Sequence, residues 1–299
     1  MGSKDKNILS FGEILWDKLP SGPKPGGAPM NASLHLAQLG YKPKLASSLG
    51  DDEDGRLLKK FIEEAGIDTS LIQLNNELPT SEVLVTLDAE NNATYEIVEP
   101  VAWDQIFLTP ELEIAANEAE FIIYGSLAAR NKTTRNTIIS FLKNNKAIRL
   151  MDVNFRPPYD TQEVVEQLIE YADIVKMNEE ELFKFKKWNN IEPSNLKKLI
   201  KWFSNHYSVN QVCVTRGKKG ALIYDQGLFV EHPGFSVKTI DSVGSGDAFL
   251  TGFIHCLIEE KNLQETVSYA CALGAFVATR QGATPIYQFD DIYEILNKG

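Results

Sequence analysis

Short apolar, β-prone runs alternate with helical patterns from one end of the chain to the other, and this alternation limits the fold more than any other feature. Runs at 7–14, 44–48, 121–124, 148–153, 174–177, 211–215 and 221–224 are separated by helical stretches at 30–39, 55–65, 132–144, 161–171, 179–187, 194–206, 247–260, 263–280 and 290–296. Strands joined through a helix pair in parallel, and the helices then cover both faces of the sheet. Continuous apolar runs such as 121–124 suit strands buried on both faces. The pattern predicts an α/β fold with a mostly parallel central sheet, whose ligands gather at the carboxyl ends of the strands. One interval departs from it. Two β-prone runs, 80–88 and 93–98, flank Glu90-Asn91-Asn92 with no helix between them. This reads as a hairpin that projects as a small sheet together with 14–18, either as edge decoration or as a lid.

Composition narrows the function. The 299 residues are 43% hydrophobic, enough for a large core in one or two domains. A formal charge of −11 argues against a nucleic-acid surface, and any polyanion site must be locally basic or metal-assisted. Cys213, Cys256 and Cys271 lie in apolar segments without CxxC spacing and read as small core residues in a reducing compartment. No run approaches membrane-span length, and the polar N-terminal residues do not form a secretory leader, so a soluble cytoplasmic protein is expected.

The segment Thr239-Ile240-Asp241-Ser242-Val243-Gly244-Ser245-Gly246-Asp247-Ala248-Phe249 carries the most chemistry. A Gly-x-Gly turn leads into an apolar helical run, so backbone N–H groups and the positive end of the helix dipole form an anion site. Asp247 sits inside that site and would repel an anion; a carboxylate there makes sense as a base for an attacking hydroxyl. On these residues alone a helix-capping aspartate remains the favoured reading. A dinucleotide fingerprint fits less well, because Phe249 stands at its third glycine position.

Four other segments have both an ordinary and a functional reading. Gly26-Gly27-Ala28-Pro29-Met30-Asn31 is a loop-to-helix start that also permits close ligand approach, and Asp17 with Asn31 suits vicinal sugar hydroxyls. In Asp152-Val153-Asn154-Phe155-Arg156, strand alternation puts Asp152, Asn154 and Arg156 on one side. Asn178 to Glu181 is fully explained as a helix cap, yet the pair also suits waters around Mg²⁺. Thr215-Arg216-Gly217-Lys218-Lys219-Gly220 reads as a plain hairpin turn or as positive charge for a nucleotide. A Walker lysine loop, HExxH and G-x-S-x-G are absent, and His35, His206, His232 and His255 are scattered.

Taken together these segments resemble the ribokinase-like (PfkB) carbohydrate kinases. The similarity rests on Asp241 to Phe249, Gly26 to Asn31, Asn178 to Glu181, Leu49-Gly50-Asp51-Asp52 with Gly55, and Gln281-Gly282-Ala283-Thr284-Pro285, in order from about residue 8 to 286. Within the family the chain looks most like fructokinases, through Gly12 to Asp17, Val101 to Asp104, Gly125 to Ala128 with Arg130, and Asp152-x-Asn154-x-Arg156. It departs at Ser245, where alanine is usual, and at Ser242-Val243. The resemblance implies a ribokinase-like three-layer sandwich over 1–299, with a small β lid from about 14–20 and 80–100. It implies ATP-dependent phosphorylation of a sugar's primary hydroxyl, with D-fructose first and 2-keto-3-deoxygluconate, ribose or a nucleoside as alternatives; a non-catalytic relative would lack the base. Asp247 would be the base and the Gly244, Ser245 and Gly246 N–H groups would hold the phosphoryl charge. Asp17, Gly27, Asn31, Arg130 and Arg156 would hold the sugar. Asn178, Thr215, Gly217 and Gly220 would line the nucleotide site. Asn178 and Glu181 would organise Mg²⁺ through water, and Asp241 and Val243 with 278–284 would hold K⁺. Sugar and ATP are then the partners, with no nucleic acid or membrane, and the lid offers a homodimer surface.

Overall fold

The computed structural model of the chain describes residues 5–19, 22–87, 93–143 and 145–298. Its strands are β1 (Ile8–Phe11), β2 (Leu15–Leu19), β3 (Gly22–Gly26), β4 (Lys44–Gly50), β5 (Ile72–Asn75), β6 (Ser81–Leu87), β7 (Ala93–Ile97), β8 (Phe121–Gly125), β9 (Ile148–Asp152), β10 (Ile174–Asn178), β11 (Gln211–Thr215), β12 (Ala221–Asp225) and β13 (Leu228–His232). The helices are α1 (Ala28–Gln38), α2 (Glu53–Glu64), α3 (Pro110–Glu118), α4 (Lys132–Leu142), α5 (Gln162–Ile169), α6 (Glu179–Trp188), α7 (Leu196–Tyr207), α8 (Ser245–Ile258), α9 (Leu263–Ala278) and α10 (Phe289–Leu296).

The large sheet runs β13-β12-β11-β10-β9-β8-β1-β4-β5, parallel from β11 to β5 and antiparallel at the β12–β13 edge. Successive strand residues serve opposite faces. Ile122, Tyr124, Met151 and Val175 pack with α3 to α7, whereas Phe121, Ile123, Leu150 and Ile174 pack with α8 to α10. A third cluster joins Met30 and Leu34 of α1 to Leu58 and Ile62 of α2. The result is the expected α/β/α sandwich.

A separate four-stranded sheet has the order β3-β2-β6-β7. It contains the expected 14–18 and hairpin strands, while the hairpin tip Glu90-Asn91-Asn92 lies outside the described residues. Its β3 strand has the sequence Gly22-Pro23-Lys24-Pro25-Gly26, which does not read as a strand. Two prolines are tolerated because β3 is an edge, where missing N–H groups interrupt no ladder. β5 and β13 are likewise edge strands, and short edges carry weak apolar patterns. β13 returns from β12 through Gln226-Gly227, both at positive φ, the geometry of a two-residue hairpin turn. α3, also not apparent in the pattern, is opened by Pro110 and capped by Thr109, whose hydroxyl accepts the Leu112 N–H at 3.2 Å.

Candidate active site

The site begins where α8 starts without a cap. Its N-cap residue is Gly244, at φ 76, and no side chain accepts from the first turn. A Cβ at Gly244 would stand 2.4 Å from the Ala283 carbonyl oxygen, so the turn also depends on close approach to that segment. The Ser245 N–H donates to Ser242 O at 3.2 Å and the Ala248 N–H to Gly244 O at 2.8 Å. The Gly244, Gly246 and Asp247 N–H groups find no acceptor among the described residues. The trio left open for an anion therefore differs from the expected one: the turn engages the Ser245 N–H, and the Asp247 N–H takes its place. The Ser245 hydroxyl is buried without a partner.

Asp247 lies in this first turn, and its Oδ2 accepts the Asn31 amide N–H at 2.8 Å. Burial, then the charge of Asp152, pushes its pKa up to about 6, against the pull of Lys176, Asn31 and Arg156. Such a carboxylate is still largely ionised at neutral pH and is a stronger base than an ordinary aspartate.

Lys176 is a site residue that motif reading missed. Its Nζ donates to both carboxylate oxygens of Asp152, at 3.0 and 2.8 Å. The two residues are cross-strand partners on β10 and β9. A Cβ at Gly246 would meet the amine at 2.9 Å, so the charge lies against the backbone of α8's first turn. Burial opposes that charge, but Asp152, Glu181 and Asp247 outweigh it and raise the lysine pKa. The sequence signal was a lysine inside an otherwise apolar run. Strand alternation directs it to the α8 face, where its neighbours Ile174 and Cys213 pack into the core.

Asp17, on β2, closes the other side. Its carboxylate lies over Gly26, where a Cβ would meet Oδ2 at 2.5 Å, while one at Gly27 would meet the Glu13 carbonyl oxygen at 2.4 Å. The two glycines thus let β2 and the loop after β1 close on the start of α1, which presents Asn31 one turn later. The Asn31 Oδ1 is buried without a partner, so one acceptor remains after the amide is spent on Asp247. Burial raises the Asp17 pKa, and the Arg156 charge opposes this. Glu13, the second missed residue, is buried and has an unpartnered Oε2. Burial drives its pKa to about 7, with its own N–H, Arg156 and the Ala28 N–H pulling down and Asp247 pushing up.

The Arg156 charge therefore reaches three carboxylates, although its Nη1 donates to Phe155 O at 2.9 Å, and strand alternation does not put it there. β9 ends at Asp152, and Asn154 at φ 42 breaks the extended path. Asp152 turns to Lys176, while Arg156 is carried on the following loop. Arg130 is committed elsewhere. Its Nε and Nη2 bond Asp104 at 2.7 and 2.9 Å, Nη2 also bonds Val98 O at 2.9 Å, and Trp103 and Tyr159 sandwich the guanidinium at 4.0 and 4.6 Å. Arg130 is thus held in a buried ion pair at the foot of β7, with only Nη1 left without a partner.

On the far side, Asn178 and Glu181 form a reciprocal cap on α6. Asn178 Oδ1 accepts the Glu181 N–H at 2.9 Å, and Glu181 Oε2 accepts the Asn178 N–H at 2.7 Å. Glu181 Oε1 accepts the Phe155 N–H at 2.9 Å. Among the described residues no cluster of three His, Cys, Asp or Glu side chains could hold a metal ion. Glu181 keeps second lone pairs on both oxygens, a donor set that fits a magnesium ion arriving with phosphates and retaining its waters. Thr215 stands beside Asn178 in register. Gly217 opens the short helical turn that leads to Gly220, which packs against the His232 carbonyl of β13. Arg216 pairs with Glu231 at 2.8 Å, so the basic turn is partly neutralised. Asp241 accepts the Val243 and Gly282 N–H groups, both at 3.0 Å, which brings the two segments of the expected cation site together.

Comparison with known proteins bears on the fold and the family. The chain is 28% identical over 306 residues to fructokinase-2 of Solanum lycopersicum, covering 93% of this chain and 92% of that protein. It superposes on the fructokinase of Xylella fastidiosa, solved with bound ATP, with a TM-score of 0.84 at 23% identity, covering 97% and 98% of the two chains. The fructokinase of Vibrio cholerae O395, solved with fructose, ADP and calcium ion, gives 0.82 at 23% identity, covering 99% and 100%. The model of the pfkB family of carbohydrate kinases matches residues 22–288, and the chain belongs to that family.

Proposed function

We propose that this sugar kinase transfers the γ-phosphoryl group of ATP to the primary hydroxyl of D-fructose, giving fructose 6-phosphate. The observation that carries the reading is Asp247, a carboxylate of raised pKa held by Asn31 inside a helix start whose N–H groups are open. The acceptor hydroxyl loses its proton to Asp247 as its oxygen attacks the γ-phosphorus, and the bond to the β–γ bridging oxygen breaks to release ADP. The Gly244, Gly246 and Asp247 N–H groups meet the charge on the transferring group, with the Lys176 cation behind them. Asp17, Gly27 and Asn31 orient the sugar, with Arg156 beside them. The nucleotide lies along Asn178, Thr215 and Gly217. Magnesium, when bound with ATP, neutralises phosphate charge, and Asn178 and Glu181 would hold its waters. A monovalent cation is assigned to the Asp241–Val243 and 278–284 segments, and the small sheet serves as the lid.

Fructose is favoured by the run of fructokinases among the relatives. A sugar acid is the second reading, because the Arg156 guanidinium suits a carboxylate. The test is kcat/KM for fructose, 2-keto-3-deoxygluconate, ribose and glucose at saturating ATP. Fructose should lead; a higher value for any other sugar overturns the substrate but leaves the kinase.

A further inference from the structure

The loop from Asn154 to Asp160 is held at three points, two on α6 and one at the small sheet. Its first anchor is on α6, where the Phe155 N–H donates to Glu181 Oε1 at 2.9 Å. The Phe155 ring packs on Phe185 at 5.6 Å and on Trp188 at 5.2 Å, centroid to centroid. The far end of the loop is tied to the same helix by an ion pair between Lys184 and the buried Asp160. Lys184 also covers the Phe155 and Trp188 rings, at 4.8 and 5.3 Å. Between these anchors the Tyr159 N–H donates to Arg156 O at 2.9 Å, closing a turn that presents Arg156. Arg156 is exposed, and its charge is felt by Glu13, Asp17 and Asp247. The third contact is with the small sheet. The Tyr159 hydroxyl donates to Ile97 O at 3.2 Å, and its ring covers one face of Arg130, which holds the next carbonyl, Val98 O.

A long exposed arginine on a surface loop has many conformations, and fixing it against a substrate costs side-chain and loop entropy. Here much of that cost is met in advance, because both ends of the loop are fastened to a helix. We propose that α6 acts as a sling for Arg156: Lys184 and Phe155, together with Glu181, are positioning residues that hold the arginine over the acceptor site, and Tyr159 passes the same register to the foot of β7. The helix that carries the nucleotide-side residues Asn178 and Glu181 and the loop that carries the acceptor-side arginine then form one mechanical unit. The proposal rests on the reading of Arg156 as an acceptor contact. It predicts that residues remote from the reacting atoms control sugar affinity selectively.

The experiment measures steady-state kinetics with D-fructose and MgATP for Arg156→Ala, Lys184→Met, Lys184→Arg and Tyr159→Phe, with hydrogen exchange of peptides spanning 153–160. Lys184→Met should raise the sugar KM about 3- to 10-fold, the usual size of coupling through packed networks. It should leave kcat and the ATP KM within about twofold, and Lys184→Arg should restore the sugar KM. Exchange at the Phe155 amide should quicken in Lys184→Met while the central strands stay protected. Tyr159→Phe, which keeps the ring and removes only the hydroxyl, should raise the sugar KM in the same direction. If Arg156→Ala raises the sugar KM but Lys184→Met and Tyr159→Phe do not, the sling is wrong and the arginine's role stands. If Arg156→Ala leaves the sugar KM unchanged, the acceptor reading of Arg156 fails and the sling falls with it.

Discussion

Two helices of this protein follow an acidic turn, and they use the aspartate in opposite ways. At α2, Asp52 is the cap. Its Oδ1 accepts the Gly55 N–H at 2.7 Å and the Thr80 hydroxyl at 2.7 Å, and its Oδ2 accepts the Thr80 N–H at 2.8 Å. Burial works against this carboxylate, but the hydrogen bonds from Thr80 and Gly55 and the Arg56 charge bring its pKa below the usual range. At α8 the aspartate comes three residues after the cap position, caps nothing, and is pushed up to about 6. One helix end is closed by its own side chain and fastens the start of the small sheet at Thr80. The other is left open, with its donors free for a phosphate. Stability is gained where the donors are satisfied internally, and reactivity is available where they are not.

The sharpest way to break this contrast is Asp247→Asn. Loss of a positioned base should lower kcat by roughly 10²–10⁴-fold, measured as sugar-dependent ADP release. The fold should survive. Because the Asp247 pKa is raised in the folded protein, the neutral form favours folding, and that contribution is lost as pH rises through about 6. The amide should therefore melt at least as high as the parent at pH 8. A variant that keeps near-parent kcat would make Asp247 an ordinary helix residue, and the two turns equivalent.

Gly244→Ala should come next. A methyl at φ 76, 2.4 Å from Ala283 O, forces the turn apart, and a displacement near 1 Å at a reacting centre costs about 100-fold in rate. Both kcat and thermal stability should fall. A third test uses pH. The base must be ionised, so kcat/KM for the sugar should fall about tenfold per unit below pH 6 and level off above it, whereas a base at the ordinary aspartate value would keep its activity to about pH 4. A flat profile between pH 5 and 8 would remove the electrostatic difference between the turns. The smallest effect is expected at the closed end. Asp52→Ala should cost about 1–2 kcal/mol of stability by denaturant titration, with kcat at saturating substrates unchanged within a few-fold. A larger loss of activity than of stability would mean that the α2 turn also serves the reaction.

The two turns also show what could be read in advance. The glycines and the aspartate of 244–247 are local features, and they point to a glycine turn that opens a helix with an acid in its first turn, although on those residues alone a capping aspartate is the favoured reading. The alternation of runs predicts the sandwich. Arg130 shows the limit. The family resemblance puts it beside the sugar, yet most of its fork is taken by Asp104 and Val98 O, 26 and 32 residues away. Once buried, that pair is fixed, since leaving either charge alone would cost about 3–5 kcal/mol. Alternation also failed past Asp152, because it holds only while the backbone stays extended, and Asn154 does not.

Apart from the edge strands and α3, the sequence by itself determined the order of strands and helices, and with them the glycine turn at Gly244 and the acid that follows it. These follow from periodicity and turn chemistry, which act over a few residues. The tertiary structure decided the partners. Asn31 meets Asp247 across 216 residues because α1 and α8 pack together on one face of the sheet. Lys176 meets Asp152 because β10 and β9 are parallel neighbours in that register, and Glu13 is buried because the loop after β1 lies against the start of α1. Register and packing are set by the burial of the whole apolar surface. The charge that reaches a given carboxylate, and hence its pKa, is therefore a property of the folded molecule and not of its neighbours in sequence.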